Sequence, residues 1–171
     1  MRKILVIALI AAVAVTSHGM FLEEGTSEVS VSGLLDFNTA SGTLTDVNLF
    51  YGYYLMDYFS VGLAGSYVDN DAVRMWALGP KAEYNFDVGY TAVPFIGCSL
   101  LIASTDYKAT DLGDTAGVAG LEGGVKFFVT EYAAISVALV GEIATEHIYP
   151  VKNGETDNTD ARLELGMRLY F

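Results

Sequence analysis

Asp160-Ala161-Arg162-Leu163-Glu164-Leu165-Gly166-Met167-Arg168-Leu169-Tyr170-Phe171 alternates residue by residue. Ala161, Leu163, Leu165, Met167, Leu169 and Phe171 are apolar, and the residues between them are charged, small or amphipathic. A period of two puts the sets on opposite faces of a β-strand and excludes an amphipathic helix. Strands of soluble sheets are commonly ~5–6 residues long, whereas a tilted strand crossing a bilayer needs roughly 9–11. This stretch has the length to cross, with its apolar face for lipid and its charged face for a lumen.

The same alternation recurs upstream. Candidate strands span 27–37, 43–55, 59–68, 72–86, 90–104, 116–129 and 133–147, with 160–171 as the eighth. In 43–55, Val47, Leu49, Tyr51, Tyr53 and Leu55 oppose Asp46, Asn48, Gly52 and Tyr54. In 116–129, Leu121, Val125 and Phe127 oppose Glu122, Lys126 and Phe128. Pro80 falls on the apolar parity of 72–86 and costs that strand a ladder bond. In 90–104 either parity can face outward, and the small Gly97 and Ser99 favour Ile96, Cys98, Leu100 and Ile102 as the outer set. Connections around Asp57, Val88 and Glu131 are tight, while Asn38–Gly42, Asp69–Asp71, Thr105–Thr115 and Ile148–Thr159 are longer or more polar. Short turns on one side and longer loops on the other predict an all-β, eight-stranded, antiparallel up-and-down transmembrane barrel over 27–171. Of the 21 aromatics, twelve sit at or near the tight-turn ends: Tyr53, Tyr54, Tyr58, Phe59, Tyr84, Phe86, Tyr90, Phe127, Phe128, Tyr132, Tyr170 and Phe171. That placement reads as an interfacial girdle.

At the other end of the chain, Arg2-Lys3 precedes an apolar run from Ile4 to Val15 and the small-residue step Ser17-His18-Gly19. This is the layout of a signal peptide over 1–19, followed by a short segment 20–26. The run is too short for a spanning helix, which needs ~20 apolar residues. The net charge of −12 becomes −14 once the two cations Arg2 and Lys3 leave, which argues against nucleic acid as a partner. Hydrophobic residues make up 52% of the chain, yet no apolar run after Val15 approaches a helical span; a barrel combines these properties because polar residues interrupt every strand. Cys98 is the single cysteine and forms no internal disulfide.

The signal peptide, the eight long alternating strands, the small Gly-rich faces and the terminal Phe171 together resemble the small outer-membrane barrel superfamily that includes opacity proteins and OmpX- and OmpA-type barrels. The resemblance implies export to a bacterial outer membrane. It also implies contact with outer-membrane lipid and lipopolysaccharide, a monomeric barrel, and recognition of Phe171 by the barrel-assembly machinery. The resemblance does not extend to a peptidoglycan-binding domain of the OmpA type, so anchoring to peptidoglycan is not expected.

An eight-stranded barrel has an interior that side chains nearly fill. Glu28, Asp36, Asp46, Lys81, Glu83, Glu122, Lys126, Glu142, Glu146, Arg162, Glu164 and Arg168 are the charges on the inward parity. Lys81, Glu83, Glu122, Lys126, Glu142, Arg162, Glu164 and Arg168 are the expected polar network, because an unpaired buried charge is costly. A plugged lumen makes the protein a structural or surface barrel whose loops carry any interaction or adhesion. Three alternatives are a narrow ion pore, a soluble lipocalin-like barrel holding an apolar ligand, and a lipid A-modifying enzyme. The lipocalin reading requires the large apolar set inside. The enzyme reading has only His147, at the outer end of a strand beside Glu146, and lacks the His-x-Ser pattern of the deacylases. No catalytic residue, cofactor or metal site is therefore expected, and the acidic loops do not match the Asp-x-Asp-x-Asp-Gly calcium loop. Run on a denaturing gel after refolding in detergent, the mature chain should migrate faster unheated than boiled. A single unshifted band from a chain soluble without detergent would favour the lipocalin arrangement.

Overall fold

The computed structural model describes residues 22–39, 42–69, 73–88, 91–108, 112–150 and 156–171. The expected signal peptide lies outside the described residues. Eight long strands form: β1 (Ser27–Thr39), β2 (Gly42–Met56), β3 (Phe59–Asp69), β4 (Val73–Asn85), β5 (Ala92–Tyr107), β6 (Leu112–Thr130), β7 (Ala133–Ala144) and β10 (Thr159–Tyr170). Between β7 and β10 lie two short pieces, β8 (Tyr149–Pro150) and β9 (Thr156–Asp157), paired with each other. Each long strand pairs antiparallel with its neighbours in the chain, and β10 returns to β1 to close the barrel. One line of paired residues runs Glu28, Gly52, Gly62, Lys81, Ser99, Gly120, Glu142, Asp160. It climbs from the tight-turn end to the loop end. Continued to β1, it arrives about ten residues beyond its start, the kind of stagger that goes with strands tilted by about 35–45°.

Alternation places the large apolar set outside. Leu49, Leu63, Leu78, Ile96, Leu100, Leu121, Leu139, Leu163 and Leu165 are all exposed, Leu121 at 71%. In β5 the outward set is Ile96, Cys98, Leu100 and Ile102, so the small inward Gly97 and Ser99 were the right guide. The outward-parity charges Asp69, Arg74 and Asp106 stand level with one another at the loop end. An apolar exterior over a polar interior is the reverse of a lipocalin. Pro80 interrupts the β4–β5 ladder between the Leu78–Ile102 and Lys81–Ser99 pairs without shifting the register.

Three expectations are corrected. The loop placed at Thr105–Thr115 is mostly paired strand: β5 and β6 continue through Thr105–Asp114 to Tyr107–Leu112. Polar Thr and Asp side chains do not prevent pairing above the apolar belt, where the outward face no longer needs to be apolar. β7 ends at Ala144, so Glu146 and His147 are exposed loop residues rather than strand residues. Of the proposed girdle, Tyr53, Tyr84, Phe86, Tyr132 and Phe171 face outward, but Tyr54, Phe128 and Tyr170 have inward parity and are buried.

Replacing Leu121 by Arg should destabilise the barrel by about 2–4 kcal/mol in urea unfolding from lipid vesicles, the cost of a cation on the lipid face near the midplane. On a water-facing surface the same change would cost no more than about 0.5 kcal/mol.

Candidate functional site

The candidate site is the lumen, which is built in layers. At the tight-turn end Leu22, ahead of β1, turns under the barrel and is buried with Tyr54, Val93, Phe128, Ala134 and Tyr170. Backbone bonds from Tyr58 to Leu22 (2.7 Å) and from Gly25 to Tyr54 (2.9 Å) hold this stopper in place. The rings of Phe128 and Tyr170 pack 5.3 Å apart.

Above the stopper, four strands each contribute one charge. Lys126 of β6 pairs with Glu28 of β1 at 3.1 Å and with Glu83 of β4. Arg168 of β10 bridges the same two carboxylates, meeting Glu83 at 2.8 Å. All four side chains are buried. Two cations and two carboxylates leave the layer neutral, which makes such deep burial tolerable. Tyr54 donates its hydroxyl hydrogen bond to Glu28 at 2.9 Å, and Asn85 donates to the Tyr54 oxygen at 3.2 Å. Phe95 lies between the cations, its ring 4.4 Å from the Arg168 guanidinium carbon and 5.2 Å from Lys126 Nζ.

One level higher, Lys81 and Glu122 pair at 2.6 Å, and Lys81 Nζ stands 4.7 Å from the Phe50 ring. Glu122 owes its room to Gly97 on the neighbouring strand, where a Cβ would come within 2.6 Å of the carboxylate. Higher still, Arg162 grips Glu142 with two nitrogens at 2.8 and 2.9 Å and donates to Glu164 and Asp160 at 2.8 and 2.7 Å. A two-pronged Arg–carboxylate pair fixes geometry as well as charge. Ser32 donates to Glu164 at 3.0 Å, and Asn48 donates to both Glu164 and Asp46. Among the described residues these carboxylates do not converge into a metal-holding set.

The residues that follow β7 form part of a roof. Ile148 and Tyr149 fold back into the mouth and are buried against Ala77, Leu101, Ala103, Ala116 and Val118. The Tyr149 hydroxyl donates to Glu142 at 2.9 Å. Burial and the nearby Glu142 charge raise the Tyr149 pKa well above its ordinary range, so the phenol keeps its proton and remains a donor. Between roof and floor lies a chamber of about 70 Å³, room for about four or five waters.

All eight residues of the expected network face inward, and the lumen gathers them into three groups rather than one: Glu83, Lys126 and Arg168; Lys81 and Glu122; Glu142, Arg162 and Glu164. Asp36 lies in the part of β1 whose side chains are outside the described residues. Phe171 is exposed on the outer face, its backbone bonded both ways to Ser27. Missing from the expectation were the aromatic members, Tyr54, Phe95 and Tyr149, and the stopper Leu22. Inward parity was the signal for Tyr54 and Phe95, whereas nothing local in the sequence marks Leu22 or Tyr149.

Lys126→Met leaves two buried carboxylates facing one Arg168. It should destabilise the barrel by about 3–5 kcal/mol in urea titrations from vesicles. Adding Glu83→Gln should recover part of that loss, and no recovery would mean that Lys126 and Glu83 are not energetically paired.

No known family model matches the sequence, and no curated protein sequence matches it. Solved structures do. The N-terminal β-barrel domain of Pseudomonas aeruginosa OprF aligns with a TM-score of 0.59 at 19% identity, covering 86% of this chain and 98% of that one. Neisserial surface protein A aligns at 0.57 and 19% identity, covering 85% and 95%. The outer membrane protein OprG of Pseudomonas aeruginosa aligns at 0.51 and 12% identity, covering 91% and 99%. At these identities the likeness is one of fold. By fold, the chain is a closed eight-stranded antiparallel β-barrel, the architecture that these outer-membrane proteins share.

Proposed function

We propose that the protein serves as a structural, surface-exposed barrel of the bacterial outer membrane with a plugged lumen, presenting its loop end to the exterior. The observation that carries this reading is the pairing of the buried lumen charges beneath an apolar exterior. A conducting pore needs a continuous wet path, whereas here paired charges are stacked between an apolar floor and an apolar cluster at the loop end. Orientation follows from placing both Leu22 and Phe171, at the tight-turn end, on the periplasmic side. Any interaction or adhesion then falls to the loop end, where the connection between β7 and β10 is the longest. The strand ending in Phe171 is the segment we assign to recognition by the assembly machinery, and lipopolysaccharide is the lipid we assign to the outer half of the belt.

Two measurements test this. In planar bilayers the full chain should show no sustained conductance, and a channel open at rest would overturn the plug. An epitope inserted between β7 and β10 should be reached by antibody on intact cells, while one inserted at Asp57-Tyr58 should require permeabilisation. The opposite pattern would reverse the orientation.

A further inference from the structure

Six Lys and Arg residues lie among the described residues. Four of them, Lys81, Lys126, Arg162 and Arg168, face carboxylates in the lumen. The other two, Arg74 and Lys108, stand on the outer face and turn to one carboxylate. Lys108 Nζ meets Asp69 Oδ1 at 2.6 Å, and Arg74 Nε stands 3.8 Å from the same oxygen. Asp69 ends β3, Arg74 is its partner near the start of β4, and Lys108 follows β5, so Lys108 reaches across β4. One carboxylate between two cations holds like charges side by side and leaves the group with one positive charge in surplus. Asp106 is paired with Arg74 from β5 but turns the other way. Its Oδ1 lies 3.0 Å from where a Cβ on Gly113 of β6 would stand.

Height decides what this group meets. Tyr67 and Trp76 are paired across β3 and β4, two residues below Asp69 and Arg74, and both are exposed on the lipid side. Tyr67 donates to Asp69 at 3.4 Å. Farther down, the outward residues are Leu63, Leu78, Leu100 and Ile102. Trp and Tyr rings above such a belt mark the headgroup boundary. Arg74 stands roughly 5 Å farther out, allowing for strand tilt. At that depth the anion that a membrane offers is lipid phosphate. The 3.8 Å approach through Nε is longer than a hydrogen bond and leaves the terminal fork of Arg74 outside that contact. Such a fork matches phosphate oxygens in pairs. A phosphomonoester carries a charge of about −1.5 to −2 and three strong acceptor oxygens, so one group can meet fork and ammonium together. A diester has one charge and fewer free oxygens.

We propose that Arg74 and Lys108 form a binding site for a phosphomonoester of an outer-leaflet glycolipid, with Asp69 holding the two cations in place. The proposal deepens the assignment of lipopolysaccharide to the outer half of the belt and rests on the membrane placement given above. Trp76 is the single tryptophan, so its emission reports on the site. The full chain is refolded in phosphatidylcholine vesicles holding increasing fractions of phosphorylated lipid A, which should shift Trp76 emission to saturation. In the double variant Arg74→Gln, Lys108→Gln, checked for folding by its heat-dependent gel shift, half-saturation should need at least about tenfold more lipid A. Lipid A stripped of phosphate, phosphatidylglycerol and inorganic phosphate should each act at least about tenfold more weakly than phosphorylated lipid A. An unchanged titration in the double variant, or an equal response to stripped lipid A, would overturn the site. An equal response to phosphatidylglycerol would overturn the monoester, and one to inorganic phosphate would overturn the lipid. Phospholipids brominated on their chains should quench Trp76. Quenching without a phosphate-dependent shift would leave the membrane placement standing and overturn the site, whereas no quenching would overturn both.

Discussion

A backbone in hydrocarbon has no water to bond to, and the rest of this molecule follows from that. Antiparallel strands closed into a ring satisfy nearly every peptide group through a neighbour. Closure then dictates side-chain placement: each residue points to lipid or to lumen, and a shift of one register position would exchange the two faces. The apolar belt and the charged interior are two readings of one alternation.

Inside, the narrow barrel meets a problem that soluble cores avoid. The lipid face has taken the large aliphatic side chains, so the interior is filled with what remains: small residues, aromatics and charges. Buried ions cost several kcal/mol each unless paired. The lumen offsets that cost by layering. Glu28, Glu83, Lys126 and Arg168 balance one another, Lys81 balances Glu122, and Arg162 holds the carboxylates of the upper half. Phe50 and Phe95 present their faces to the cations and fill volume that water would otherwise occupy.

Much of this was legible in the sequence, because period-two alternation is a local property. Strand number, strand facing and the inward position of Lys81, Glu83, Lys126 and Arg168 can all be read from parity. What parity does not carry is height along the barrel, which depends on how far each strand is staggered against the next. Lys126 and Glu83 lie on β6 and β4, which are not paired strands, and only the tilt brings them level. The same limit explains the aromatics: Tyr54, Phe128 and Tyr170 sit at the end where a girdle belongs, but parity turns them inward to seal the mouth. Thr105–Thr115 reads as a loop because its polar composition resembles a break, although composition only marks where lipid stops. Leu22 and Tyr149 lie outside any alternating run, and their burial depends on how a connection folds back.

The four-charge layer also bears on how the barrel forms. Its members come from β1, β4, β6 and β10, and Arg168 reaches Glu28 across 140 residues of sequence. No hairpin along the way contains a complete pair from this set. Until β10 docks against β1, Glu28 and Glu83 have only Lys126 between them, and a partly assembled sheet carries an uncompensated carboxylate facing its future interior. Neutrality arrives in the same step as closure. Contacts of such long sequence separation are slow to form. Once formed they make the finished barrel differ sharply in free energy from every incomplete one, so the layer works as a completion check that only the whole ring can pass.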